Sequence, residues 1–552
     1  MEYLIVTYRF ITFAIAVLDN DSNILIDNSH NDTLRIISDN SMMATMKNMS
    51  NTFSRNYNAL KITRSNATDF YRSISLCGLL LVFPMLAFGS QYYVSPNGDN
   101  SNLGTLASPW KNINFAVSLL SAGDTLYVRG GIYAESVSVD NTGTINFPIT
   151  IKNYSGERPI IDGTKLAVKD WSALMSINGS YVSISGFELR NMNLNGAVKG
   201  GYGLNLDGIG DTASNMLVHD IWSQAIVLQN DNQIVQDSTV YRGALINCRL
   251  PTAVSCGVQT SNYNPADMLH SGWPACISIL KRYNSGAINH NSTVKGTTVY
   301  DCWGEGISTF NSYGATIEGN IIYNNFSVNL YVNNAQHAMV RRNIIYNSSD
   351  SYLGSYMPVA GGLSLADEQN NTLPAKASNL SEYNTVINNF ILNSSISLYG
   401  WTEIVGSGLN NNLIANNTII NSSFTTGAGG PQNITNVDTK IVNNIVSGGA
   451  VTVPSVAGLI FSNNLWQEVP SVDVLGTDSL IGDPKLNASG STEAGHLTSK
   501  YFTLQTESPA IGKGLSLTQV TVDFFGTPVT MPPNMGGYTL TSQHKTRAVV
   551  RK

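Results

Sequence analysis

The chain has 552 residues and a formal net charge of −6, and only 12% of its residues are charged. That leaves no basic stripe of the kind nucleic acid requires, and 48 Gly among abundant Asn, Ser and Thr suit an extracellular β protein. Residues 1–90 read as a leader that is removed or disordered. Met43, Met46 and Met49 are scattered through a polar stretch, and Lys61, Arg64 and Arg72 precede a short apolar run over residues 74–89. A basic segment, a short apolar core and the small-x-small triplet Ala87-Phe88-Gly89 make an export signal. The run contains Pro84 and falls short of the roughly 20 residues a membrane span needs, so no stable membrane insertion is expected. A second apolar run over residues 3–18 could act as a signal of its own. Cys248, Cys256, Cys276 and Cys302 then remain, an even number that in an exported chain reads as disulfides. Three connectivities are open, and Cys248 with Cys256, closing a small loop, is the preferred pair.

From residue 91 to about 540 the chain reads as one domain built from short β runs separated by Asn, Gly and Ser turns. Its centre copies itself: residues 298–320 lie over 321–343 without a gap, which places Asn320 and Asn343 one repeat, 343 − 320 = 23 residues, apart. A period in the low twenties without helical periodicity is one coil of a parallel β-solenoid, and coils must stack because none buries its apolar face alone. The pattern hydrophobic-x-x-Asn-hydrophobic recurs at Asn389, Asn417, Asn444 and Asn464. Asn at one turn of every coil either stacks into an amide ladder or takes left-handed turn geometry. The step from 343 to 389 holds two coils, or one coil and an inserted loop. Residues 541–552 form a loose basic tail.

Four segments carry a resemblance. They are Tyr92-Tyr-Val-Ser-Pro-Asn-Gly-Asp99, Gly104-Thr-Leu-Ala-Ser-Pro-Trp-Lys-Asn-Ile113, Ala122-Gly-Asp-Thr-Leu-Tyr-Val-Arg-Gly-Gly-Ile-Tyr133, and Pro148-Ile-Thr-Ile-Lys-Asn-Tyr154 with Ile161-Asp-Gly163. Together they resemble the opening of secreted right-handed parallel β-helix proteins, among them family-nine pectate lyases and relatives of chondroitinase-B and alginate lyases. Gly482-Asp-Pro-Lys-Leu486 and Ser508-Pro-Ala-Ile-Gly512 look like their usual closing segment. The resemblance implies an all-β right-handed parallel β-helix with a capping helix over residues 112–120. It does not name a chemistry, because lyases, hydrolases and binding proteins share the opening.

Aligning coils on the strand after the Gly turn puts Asn205, Asp207, Gln229, Ser278, Ser308, Phe310, Tyr331 and Asn333 on one outer face, since alternate strand residues point the same way. Asp231, Lys281, Arg282, Asp367, Glu368 and Trp401 fall just past the strand ends. Carboxylates, a Lys-Arg pair and aromatics on one face suit a sugar-polymer groove, rings stacking on sugar faces. The expected substrate contacts are Asp207, Gln229, Phe310, Tyr331, Asn333, Asp367, Glu368 and Trp401. Two insertions, residues 243–274 and 348–383, wall the face.

The expected function is an exported enzyme, secreted or at the cell surface and monomeric, acting on a uronic-acid-containing polysaccharide as a lyase. Uronan β-elimination needs a base to take the proton α to a carboxylate and a positive group to hold that carboxylate. Lys281 is the candidate base, and Arg282 can grip the carboxylate bidentately. Family-nine lyases also use a calcium held by clustered Asp residues. No matching cluster stands in this sequence, so no ligands carry over, and the candidate calcium ligands are Asp207, Asp211 and Asp231. Glu305, between Gly304 and Gly306, is the rival centre: as a general acid partnered by Asp301, Asp367 or Glu368 it would make a glycoside hydrolase. A non-catalytic adhesive β-helix is the third reading. Convergence of Lys281, Arg282 and Glu305 on one cleft would favour an enzyme. His219 and His290 read as turn or surface residues.

Overall fold

The computed structural model describes residues 17–18, 24–25, 89–194, 199–248, 274–281, 287–351, 360–368, 381–401, 408–429 and 435–540, and of residues 17–18, 24–25, 399–401 and 428–429 the backbone alone. The chain divides into two compact units, Met1–Leu86 and Ala87–Lys552. In the first, Val17–Leu18 pairs antiparallel with Ile24–Leu25. The proposed export signal lies outside the described residues except for Gly89, and the basic tail lies outside them altogether.

The second unit is a right-handed parallel β-helix. Each coil visits three sheets in turn. The central one takes Thr316–Glu318 into sheet A, Ile321–Tyr323 into sheet B and Val328–Gln336 into sheet C before Met339–Arg341 returns to sheet A. Among the described residues, sheet A runs from Gln91–Val94 to Leu459–Ser462 and sheet B from Gly131–Tyr133 to Leu480–Ile481. Sheet C runs from Val137–Val139 to Val451–Thr452. Strand alternation sends one residue of each coil to the same place inside. Ile184, Ala213, Val235, Val294, Ile317, Val340, Val386, Ile414, Ile441 and Phe461 follow one another in register along sheet A. All belong to one buried core that runs the length of the helix. A short helix, Ile113–Val117, adds Ile113, Ala116 and Val117 to that core.

The asparagines do both things expected of them, on separate residues. Asn320, Asn343, Asn389, Asn417, Asn444 and Asn464 are fully buried, and each Nδ2 donates to the Oδ1 of the next at 2.9–3.1 Å. The same Oδ1 also accepts the backbone N–H of the preceding rung, as in Asn343 N to Asn389 Oδ1 at 3.1 Å. The residue just before the ladder position takes the left-handed conformation, at Asn388, Asn416, Asn443 and Asn463. Because Asn343 bonds Asn389 directly, residues 343–389 form one coil with an insertion.

The closing segment, residues 482–540, folds back over sheets A and B. Phe390 on sheet B stacks on Phe502 at 4.5 Å and Phe524 at 4.1 Å, and Val520 packs with Ile387, Leu413 and Val442 of sheet A. Asn388 and Asn443 donate to the backbone oxygens of Val522 and Leu515. These contacts fall on sheets A and B, and among the described residues sheet C is the remaining face, where a site can form. Cys276 and Cys302, at adjoining coils, form a disulfide across 6.0 Å between Cα atoms. That is the bond the preferred pairing leaves over. Cys248 is disulfide-bonded as well, while Cys256 lies outside the described residues.

Candidate functional site

Register along sheet C confirms the shared face. Asn205, Val227, Ser278, Ser308, Tyr331 and Ser364 follow one another through paired strands, and Phe310 pairs with Asn333 and then Ala366. The face is less open than a groove. Asp207, Gln229 and Phe310 are half-buried, but Ser278, Tyr331, Asn333 and Ala366 are buried. Gln229 Nε2 donates to Asn205 Oδ1 at 2.5 Å.

Asp367, expected among the substrate contacts, is a fully buried structural residue. Its oxygens accept Asn334 Nδ2 at 2.6 Å and the Gly408 N–H at 2.7 Å. The cause is alternation: the strand Gly361–Glu368 runs on past Leu363 and Leu365, both in the core, and Asp367 falls on the same inward set, level with Asn334. Glu368 is half-buried in a reciprocal pair with Asn333, accepting from its Nδ2 and donating its own N–H to Oδ1. The backbone of Trp401 is in register with Glu368, and its side chain lies outside the described residues.

The edge where sheet C turns toward sheet A holds a charged group. Lys281 Nζ is 3.0 Å from both oxygens of Asp231, whose Oδ1 also accepts the His290 N–H at 2.9 Å and lies 3.3 Å from His290 Nδ1. Burial opposes ionisation of Asp231, but the His290 N–H and the Lys281 ammonium outweigh it and hold the carboxyl below its ordinary value. One carboxylate therefore orients an amine and an imidazole together. His290 was legible only as a lone histidine because its partner lies 59 residues away in sequence. Arg282 lies outside the described residues.

Glu305 does not join this group. Ile277 pairs with Ile307, so Glu305 stands level with Ala275, 281 − 275 = 6 residues before Lys281 along the strand direction. At about 3.3 Å per residue the two are roughly 20 Å apart. Leu363 is level with Ile307 through Leu330, which sets Asp367 equally far from Glu305. A glycosidase pair needs carboxyls about 5–10 Å apart, so neither Asp367 nor Glu368 can serve with Glu305. Asp301, on the same turn as Glu305, is the remaining partner. Burial raises its carboxyl to about 6, against the opposing pull of Arg242. Nearby on sheet B stand features the sequence did not disclose. His219 lies 2.7 Å from Asp220 through Nδ1, and its ring begins a stack continued by Tyr241, Tyr300, Tyr323 and Tyr346 at 4.7–5.1 Å.

The three candidate calcium ligands do not meet. Asp231 is committed to Lys281 and His290, and Asp211 is fully buried and accepts the Val182 N–H at 3.0 Å. Among the described residues no three acidic, His or Cys side chains gather as a metal site, so these residues do not fit the ion and no step is routed through it. Burial instead raises the Asp211 carboxyl to about 7. The folded state thus binds a proton that the unfolded chain releases near pH 4, and this contribution to stability is lost as pH rises from about 4 to about 7. Asp211→Asn should remove that loss while keeping the Val182 bond. The melting temperature of the variant relative to wild type is expected to climb across the window and level off above it; parallel curves would refute the assignment.

Residues 92–249 match the family described as "Pel9A-like, right handed beta helix region", and residues 277–390 match "Right handed beta helix region". The chain is 37% identical over 87 residues to pectate lyase PEL9 of Emericella nidulans, covering 15% of this chain and 21% of that protein. It is 30% identical over 113 residues to pectate lyase L of Paenibacillus polymyxa, covering 20% and 25%. It is also 30% identical over 134 residues to the uncharacterized protein YwoF of Bacillus subtilis, covering 24% and 28%. Each match spans about a quarter of the relative's own length. Solved structures similar to the chain include pectate lyase Pel9A, at 15% identity with 83% of this chain and 98% of that one covered and a TM-score of 0.42. The surface adhesin PfbA of Streptococcus pneumoniae is similar at 11% identity, with 64% and 85% covered and a TM-score of 0.41.

Proposed function

We propose, from the premise that this chain is a right-handed β-helix protein of the pectate-lyase-like kind, that it is an exported polysaccharide lyase cleaving a uronic-acid-containing glycan by β-elimination. The observation that carries the reading is the Asp231–Lys281–His290 group at the edge of sheet C, which sets a cation and two proton-handling groups beside one outer face. A uronate placed there has its carboxylate at Arg282 while Lys281 enters the step as its neutral amine, having given up its proton beforehand. Lys281 takes the α proton, the electron pair freed from that C–H bond forms the carbon–carbon double bond, and the β C–O bond breaks. The departing oxygen is protonated from solvent, so atoms and charge balance. Asp231 positions Lys281, and Arg282, which follows it in the chain, is proposed to hold the carboxylate.

A second assignment of the same reaction is favoured by the ion pair itself. Asp231 already gives the Lys281 ammonium a counter-charge, and the His290 side chain on that carboxylate is 45% exposed. In that version Lys281 holds the uronate and the imidazole takes the proton. The reaction class is tested by incubating the protein with pectate, alginate, glycosaminoglycan and neutral glycans while following unsaturated-uronate absorbance and reducing ends separately. The expected result is that both rise together on one acidic polymer. Reducing ends appearing without unsaturation would replace the lyase by a hydrolase, with Glu305 and Asp301 as its carboxyls.

A further inference from the structure

Beside the Lys281 edge, successive coils carry rings that the packing of the helix does not call for. Asp231, His290, Tyr313, Gln336, Glu382 and Asn410 occupy one turn position, and the residue after each is left-handed: Asn232, Asn291, Gly314, His337, Tyr383 and Asn411, with φ between 53° and 69°. Four of those six are Asn or Gly, the residues that adopt this conformation at low cost. Of His337 and Tyr383, Tyr383 is the bulky exception, since His adopts this conformation more readily than most residues, and strain of this sort persists where something other than stability selects it.

Nor are their rings buried. Tyr383 is 48% exposed, Tyr313 40%, and His337 is exposed as well. The rings of His290, Tyr313, His337 and Tyr383 succeed one another at 6.0, 4.8 and 5.1 Å, one per coil, along the helix axis. Gln336 and Glu382 flank them, joined by a 2.6 Å hydrogen bond. The strip starts at His290, which shares Asp231 with Lys281. It therefore continues the proposed catalytic edge rather than standing apart from it.

We infer that this strip is a binding platform for the glycan chain, which lies along the exposed edges of Tyr313, His337 and Tyr383 while the reacting residue sits at Lys281. The inference rests on the proposed function for its ligand class and adds the direction in which the polymer runs, parallel to the helix axis and away from Lys281 toward the C-terminal coils. Because His337 and Tyr383 stack face to face, the strip offers ring edges, with the Tyr hydroxyls and imidazole nitrogens available to sugar hydroxyls.

The test uses Tyr383→Asn and His337→Asn in the full chain, because Asn is what other coils place at this turn. Melting temperature and retardation in native gels containing polygalacturonate or a neutral galactan are read together. The expected result is a melting temperature that is unchanged or raised with retardation weakened about three- to tenfold. Weakening in the acidic gel alone, or in both gels, supports the platform and separates uronate contacts from general sugar contacts. Retardation equal to wild type, no retardation of wild type by either polymer, or a melting temperature lowered by several degrees would each overturn it. These readouts do not need turnover. Loss of retardation without any unsaturated product in wild type keeps the platform and sinks the lyase, while unsaturated product with unchanged retardation does the reverse.

Discussion

Asn389→Ala is expected to destabilise the helix by about 4 kcal/mol or more, the largest effect of any single substitution considered. The side chain is fully buried and uses every hydrogen-bonding position it has. Its Oδ1 accepts from the backbone and the amide of Asn343, and its Nδ2 donates to Val340 O at 3.0 Å and Asn417 Oδ1 at 2.9 Å. Ala would leave two donors of Asn343 and the oxygens of Val340 and Asn417 short of a partner inside the core. Each such orphan costs roughly 1–3 kcal/mol. Asn389→Asp should also destabilise, because a carboxylate can accept from Asn343 but cannot donate onward. Asn421→Gly supplies the contrast. Asn421 is exposed and left-handed at φ 47°, and Gly takes that conformation without strain, so a change of only a few tenths of a kcal/mol is expected. Urea midpoints for the three variants check this. Equal shifts for Asn389→Ala and Asn421→Gly would mean that the ladder contributes nothing beyond turn geometry.

The ladder was legible because its signal is local and repeated. A hydrophobic-x-x-Asn-hydrophobic unit every coil fixes both the turn and the inward strand, and Asn343 to Asn389 then follows the same rule across an insertion. The shared face of sheet C was legible for the same reason, since strand alternation alone puts Asn205, Ser278, Ser308 and Tyr331 in one row. What escaped was everything that depends on where along the strand a residue stands. Lys281 and Glu305 belong to neighbouring coils, yet one follows its strand and the other precedes it, and a strand's length keeps them apart. Asp367 looked like a groove residue because it was placed past the strand end, whereas the strand runs on to Glu368 and alternation from Leu363 and Leu365 turns it inward onto Asn334. Asp231 read as a metal ligand because its actual partners, Lys281 and His290, lie 50 and 59 residues away. Long insertions hide such pairings, and no spacing rule recovers them.

The measurement that bears most directly on the central claim is the rate of unsaturated-uronate formation by wild type, Lys281→Ala and His290→Asn on the acidic polymer that the screen identifies. Lys281 is a partly exposed ion-pair residue, 24% accessible, and such pairs contribute only about 0–1 kcal/mol, so its removal should leave the melting temperature nearly unchanged. A proton-abstracting group contributes about 10²–10⁴ in rate. The account predicts a loss of that size for Lys281→Ala at an unchanged melting temperature, with His290→Asn losing less. Full activity in Lys281→Ala would contradict it, and if His290→Asn were then the inactive variant, the proton would belong to the imidazole instead.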